Sequence, residues 1–221
     1  MHLLKDILTY AYRGSGKYVL AVCIGLSVIA SLAQLAPFLG GIASLRIGAY
    51  FCAIFFQLIR STAIGGKEAP EFPETSNLLD DIILPMLQVL AVSAVSFGPA
   101  LLYVMLAPVS PYKETIFLGL AGTGVIYFPM AMLSVVVLGY IGALSPHIVL
   151  PAILRAGWLY WIAVILLAAV YTAEVILGNL LKGQIILGPL VMAVVTSYTL
   201  MTNARTLGVI YREKQEELNW L

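Results

Sequence analysis

Of the 221 residues, 61% are hydrophobic and only 10% charged, against about 25% charged in a soluble domain, and the mean hydropathy is +0.99, so the solvent for this chain is lipid. A net charge of +1 removes the argument for a nucleic-acid partner, because a phosphate backbone demands a concentrated basic face. Cys23 and Cys52 both fall in apolar segments, which gives no basis for a disulfide framework or a metal site.

The opening stretch MHLLKDILTYAYRG sets Leu3, Leu4, Ile7, Leu8 and Ala11 at helical spacing, with Lys5, Asp6, Thr9 and Arg13 elsewhere. That pattern predicts an amphipathic interfacial helix over residues 1–16. A basic start before an apolar run also resembles a secretory signal. The run exceeds the length of a signal core, which favours an uncleaved anchor. RGSGK lacks the spacing of a phosphate loop and a preceding strand, and predicts a flexible elbow.

A spanning helix needs about 20 apolar residues, and six such spans follow, at about 17–37, 41–60, 81–107, 114–144, 157–181 and 184–206. The first long run divides near APFLGG, where Pro37 interrupts the ladder and Gly40 with Gly41 permits a tight reversal. Pro99 and Pro129 predict kinks in the third and fourth spans. SPHIVLPAILRAGW predicts a second surface helix, and like the first it reaches an Arg, a Gly and an aromatic at the mouth of a span. Residues 207–221 predict a helical tail outside the membrane, and the whole chain reads as one integral membrane domain, all-α.

The connection RSTAIGGKEAPEFPETSNLLDD is the only sizeable polar loop, turn-rich through Gly65, Gly66, Pro70 and Pro73. Glu68, Glu71, Glu74, Asp80 and Asp81 make it acidic, and Ser76 is a candidate cap for the third span. With six spans both termini share a side, which holds Lys5, Arg13, Lys17, Arg60, Lys67, Arg155, Arg205, Arg212 and Lys214. Arg46, Lys113 and Lys182 fall on the other. The basic-inward bias predicts cytoplasmic termini in a bacterial inner membrane, with Trp158 and Trp161 in an aromatic belt.

The segment GAYFCAIFFQLIRSTAIGGKEAPEFPE, a span ending in Ile-Arg, then a Gly turn, an acidic residue and Pro-Glu-Phe, resembles an uncharacterised family of prokaryotic multi-pass membrane proteins known only as a domain of unknown function. ARTLGVIYR is also similar to such proteins. The resemblance implies a polytopic fold and carries no activity or site residue.

Chemistry finds little footing. An intramembrane metalloprotease needs His-Glu-x-x-His, and the histidines are His2 and His147, outside the spans; a Gly-x-Ser-x-Gly elbow is absent. Asp80 and Asp81 are adjacent, and neighbours on a helix do not face one another. The sequence predicts no cofactor, metal or catalytic residue. Two ionisable groups lie within spans at comparable depth, Arg46 and Glu174, and form a candidate ion pair between spans two and five. Gly119, Gly122 and Gly124 offer a smooth helix face for close packing within the bundle or to another chain, and Ser93, Ser96 and Gly98 offer another. In the tail, Leu207, Ile210, Tyr211 and Leu218 share a helical side as a candidate partner surface, with Arg212 and Glu216 spaced for a surface pair.

These features predict a non-catalytic scaffold or accessory subunit whose partners are the bilayer and other membrane chains or itself. The alternative is a small-solute or lipid transporter, with proline-interrupted spans three and four flanking a pathway to Glu174.

Overall fold

The computed structural model describes residues 2–34, 37–70, 72, 77–107, 111–184 and 187–220, without the side chains of 2–4 and 37–39. Its elements are α1 (His2–Thr9) with a 3-10 turn (Tyr10–Tyr12), α2 (Gly16–Ala33), α3 (Pro37–Ala63), a π turn (Leu79–Ile83) running into α4 (Leu84–Leu106), α5 (Lys113–Leu138), a 3-10 turn (Ile141–Leu144), α6 (Pro146–Leu180) and α7 (Leu187–Leu218). No strand occurs among the described residues. Six of these helices are long and apolar enough to cross a membrane, and the chain is a multi-pass membrane helical bundle.

The hub is α7, which touches α1, α2, α3, α5 and α6. It is also the least apolar of the six spans, for a physical reason. A helix facing lipid gains from large aliphatic side chains, whereas one surrounded by helices packs closer with small residues and can satisfy polar ones. Thr199, Thr202, Arg205 and Thr206 are accordingly buried on α7, with Gly208 beside them. A Cβ on Gly208 would overlap Thr62 and come within 2.8 Å of the Ile59 carbonyl, so glycine sets the α3–α7 approach. Outward surfaces carry the bulk instead, as at Leu101, Leu154, Ile165 and Leu180.

The two elbows, after α1 and within α6, both form at glycines. Gly14 has φ +48° between the Tyr10–Tyr12 turn and α2. Gly157, at φ 62° and ψ −145°, breaks α6 into two segments. That backbone region is essentially reserved for glycine. Arg155 donates to the Leu218 carbonyl at 3.3 Å, tying the first segment of α6 to the end of α7.

Several boundaries differ from expectation. α2 ends at Ala33 and Pro37 opens α3, so Gly40 and Gly41 are helical. Gly40 serves close approach, since a Cβ there would strike the Ala33 carbonyl. The fourth span ends at Leu138, not 144, because Gly139 adopts a left-handed cap at φ 80°. The 3-10 turn then folds back, with Tyr127 donating to the Leu144 carbonyl and Ser134 to that of Ala143. Ser76 lies outside the described residues; at the entrance to α4 the Asn77 side chain donates to Asp80, and its backbone N–H to Asp81 at 3.1 Å.

Candidate functional site

The end of the bundle where α1, α3, α7 and the α3–α4 loop meet is organised around Arg205. Its side chain is 2% exposed, so its N–H groups need partners within the protein; the two terminal nitrogens have them, and the buried Nε has no hydrogen-bond partner among the described residues. One terminal nitrogen pairs with Asp6 on α1 at 2.8 Å. The other donates to the Gly66 carbonyl at 2.6 Å and to the Thr62 hydroxyl at 3.3 Å. The guanidinium carbon lies 4.5 Å from the centre of the Tyr10 ring, a cation–π arrangement.

The surrounding chain completes the knot. Arg13 pairs with the second Asp6 oxygen at 2.8 Å. Ser15 donates to the Ala69 carbonyl at 2.5 Å, and the Glu68 carboxylate rests against Gly14, where any Cβ would collide with it. RGSGK therefore works as a docking elbow for the loop. Tyr198 donates to the Leu8 carbonyl at 2.9 Å, holding α1 at a second level of α7. Burial of Asp6 opposes its charge, but the Arg205 hydrogen bond and the charges of Arg205, Arg13 and Arg212 outweigh it and hold the carboxyl below its ordinary 3.8. Burial pushes the Tyr10 phenol above its ordinary range, against the pull of the same arginine. The arrangement can anchor helices; it presents no paired acid and base.

Arg46 and Glu174 are not brought together. Arg46 is exposed on α3, and the Glu174 carboxylate accepts from Thr196 at 2.6 Å across the α6–α7 hairpin. No contact joins α3 to α6 among the described residues, because α7 packs against both. The candidate partner surface is likewise covered by this chain itself. Leu207, Ile210, Tyr211 and Leu218 are all buried, and Trp220 stacks on Tyr211 with ring centres 5.9 Å apart. Arg212 pairs with Glu213 at 3.0 Å rather than Glu216, and Lys214 leaves helical geometry just beyond it.

The glycine face divides. Gly124 is buried, and a Cβ there would come within 2.5 Å of the Ser96 carbonyl, so it sets the α4–α5 approach together with the Phe97–Phe128 ring pair. Gly119 and Gly122 are exposed, with open space over each. Arg205 was legible only as one basic residue among many; the lowered apolarity of its span was the available sign of a buried polar centre. Among the described residues no group of three His, Cys, Asp or Glu could hold a metal. Comparison with protein-family models, curated proteins and solved structures finds no match.

Proposed function

We propose that the protein is a membrane-embedded scaffold or accessory subunit that docks another transmembrane chain on the outward face of α5. The observation that carries this reading is the open space over Gly119 and Gly122, within a helix whose other side is closely packed against α4 at Gly124. A glycine facing lipid offers no side chain to the bilayer and costs the helix about 1 kcal/mol relative to alanine. Facing another helix, it lets the two backbones approach and gain dispersion contact. Thr115 and Thr123 are exposed on the same helix, and their hydroxyls suit contacts between helices. The distribution of lysine and arginine supports cytoplasmic termini in a bacterial inner membrane, and the family resemblance of the 48–74 segment agrees with a polytopic protein of that kind.

The test is copurification in mild detergent, comparing tagged wild type with the Gly119→Leu, Gly122→Leu double variant. A transmembrane partner recovered in fixed ratio with wild type and lost from the variant, at unchanged melting temperature, is expected. Recovery of the same partners with both proteins, or a lone monodisperse chain carrying a small solute, would overturn the reading. The second outcome would favour transport.

A further inference from the structure

Two charges lie inside apolar spans and are left without a charged partner by their own chain. Arg46 is nine residues into α3 from Pro37, about 14 Å along the axis. It is exposed and makes no ion pair among the described residues. Glu174 is six residues before Leu180 at the same end of the bundle, about 9 Å in. It is half-buried, with one carboxylate oxygen accepting from the exposed Thr196 and the other without a partner among the described residues. Lys113, Glu114 and Lys182, the other charges at this end, sit at or beyond the ends of their helices.

α7 serves as a common ruler for the two levels. As the second and sixth spans, α3 and α7 run in the same direction. A Cβ on Gly208 would touch Thr62 and the Ile59 carbonyl, so Gly208 is level with the turn from Ile59 to Thr62. Counting back along both helices until α3 reaches Arg46 brings α7 to positions 192–195. Thr196, the hydrogen-bond partner of Glu174, is the next residue. At a rise of about 1.5 Å per residue the two charges differ in level by roughly 2–6 Å, within reach of an arginine side chain. They do not meet in one chain, because α7 packs between α3 and α6.

A second copy lying alongside, related by an axis along the membrane normal, keeps every residue at its own depth. Its Glu174 then stands at the level of Arg46 in the first. A charge within the hydrocarbon region pairs with another where one is in reach, and only another copy supplies these two with each other. The surface of α3 beside Arg46 admits a neighbour, since Leu45 is exposed and Gly41 and Gly48 have open space over them. We propose that copies of this chain associate side by side in the membrane through an ion pair between Arg46 of one copy and Glu174 of the next. The two faces differ, so the contact is head-to-tail and closes into a ring where the rotation allows. It uses neither Gly119 nor Gly122 and does not depend on the α5 face. Each chain keeps its own core, so membrane yield does not report this contact and association does.

The test reads association of the full chain in native membranes, in a background with Cys23 and Cys52 replaced. Leu45→Cys on one tagged copy and Val175→Cys on a differently tagged copy, both positions exposed, are expected to form an intermolecular disulfide on mild oxidation. Arg46→Glu in both copies, or Glu174→Arg in both, should reduce that product several-fold. Placing Glu174→Arg on the Leu45→Cys copy and Arg46→Glu on the Val175→Cys copy should restore it. That mixture matches Arg46 with Glu174 at one contact and the exchanged charges at the other, and its recovery shows that both variants fold. If the variants fold poorly, the wild-type charges decide alone: absence of the Leu45→Cys with Val175→Cys product overturns the proposal. So does a product that the single charge reversals leave unchanged, or one that the mixture fails to restore.

Discussion

Asp6 and Arg205, 199 positions apart in the chain, meet at 2.8 Å and join the first helix to the last. The pair is asymmetric in its burial, 24% exposed on the carboxylate and 2% on the guanidinium. Arg205 thus depends on Asp6 more than the reverse, since Asp6 keeps both water and Arg13. Removing the carboxylate leaves a buried cation with only neutral hydrogen-bond partners.

Asp6→Asn is therefore expected to destabilise the protein by about 3 kcal/mol, within the range for breaking a buried pair. Arg205→Gln should cost a comparable amount. The double variant should cost clearly less than the sum, with a coupling of at least about 1 kcal/mol. Unfolding in detergent followed by tryptophan fluorescence measures this; additive losses would show that the pair does not act as a unit.

The same carboxylate sets an acid limit. Its folded pKa lies below the ordinary 3.8, so its contribution is complete above that value and is lost as pH falls through the lower folded value. Wild type should lose melting temperature more steeply than Asp6→Asn on acidification below about pH 4. Parallel curves would remove Asp6 from the account.

Gly208→Ala places a methyl group into Thr62 and toward the Ile59 carbonyl, and overpacking of this kind costs about 1–3 kcal/mol. A similar loss is expected at Gly157→Ala, where the backbone conformation rather than space is limiting. Gly119→Ala meets open space and should leave melting unchanged or slightly raised. Equal effects at all three positions would contradict the packing described.

Within one chain, Arg46 and Glu174 should behave independently. Exchanging them, Arg46→Glu with Glu174→Arg, is expected to give no rescue over the single variants, because α7 separates their helices and distant sites add. Rescue in membrane yield would place the two charges together and require a different helix arrangement.

The six spans were legible because a helix in lipid must satisfy its own backbone and cover itself with about 20 apolar residues. The elbows at Gly14 and Gly157 were foreshadowed by two Arg-Gly-aromatic junctions. What covers an apolar face was not legible. Leu207, Ile210 and Tyr211 form a regular stripe whether another chain or this chain's own helices lie over it, and periodicity is silent on the difference. The partners of Arg205 were hidden for a related reason: Asp6, Thr62 and Gly66 are distant in sequence, and only the fold brings them together. Depth alone suggested Arg46 with Glu174, but depth fixes one coordinate of a side chain and leaves its direction around the helix free.

The first and last helices and the α3–α4 loop share one end of the bundle. Sidedness of labelling tests it most directly, using single cysteines at Tyr12, Ile64, Asn219 and Gly183, all exposed, in a background with Cys23 and Cys52 replaced. With a membrane-impermeant maleimide on sealed cells and then on opened ones, the first three should react only after opening and Gly183 beforehand. Reaction of Tyr12 and Asn219 from opposite sides of the membrane would contradict the account.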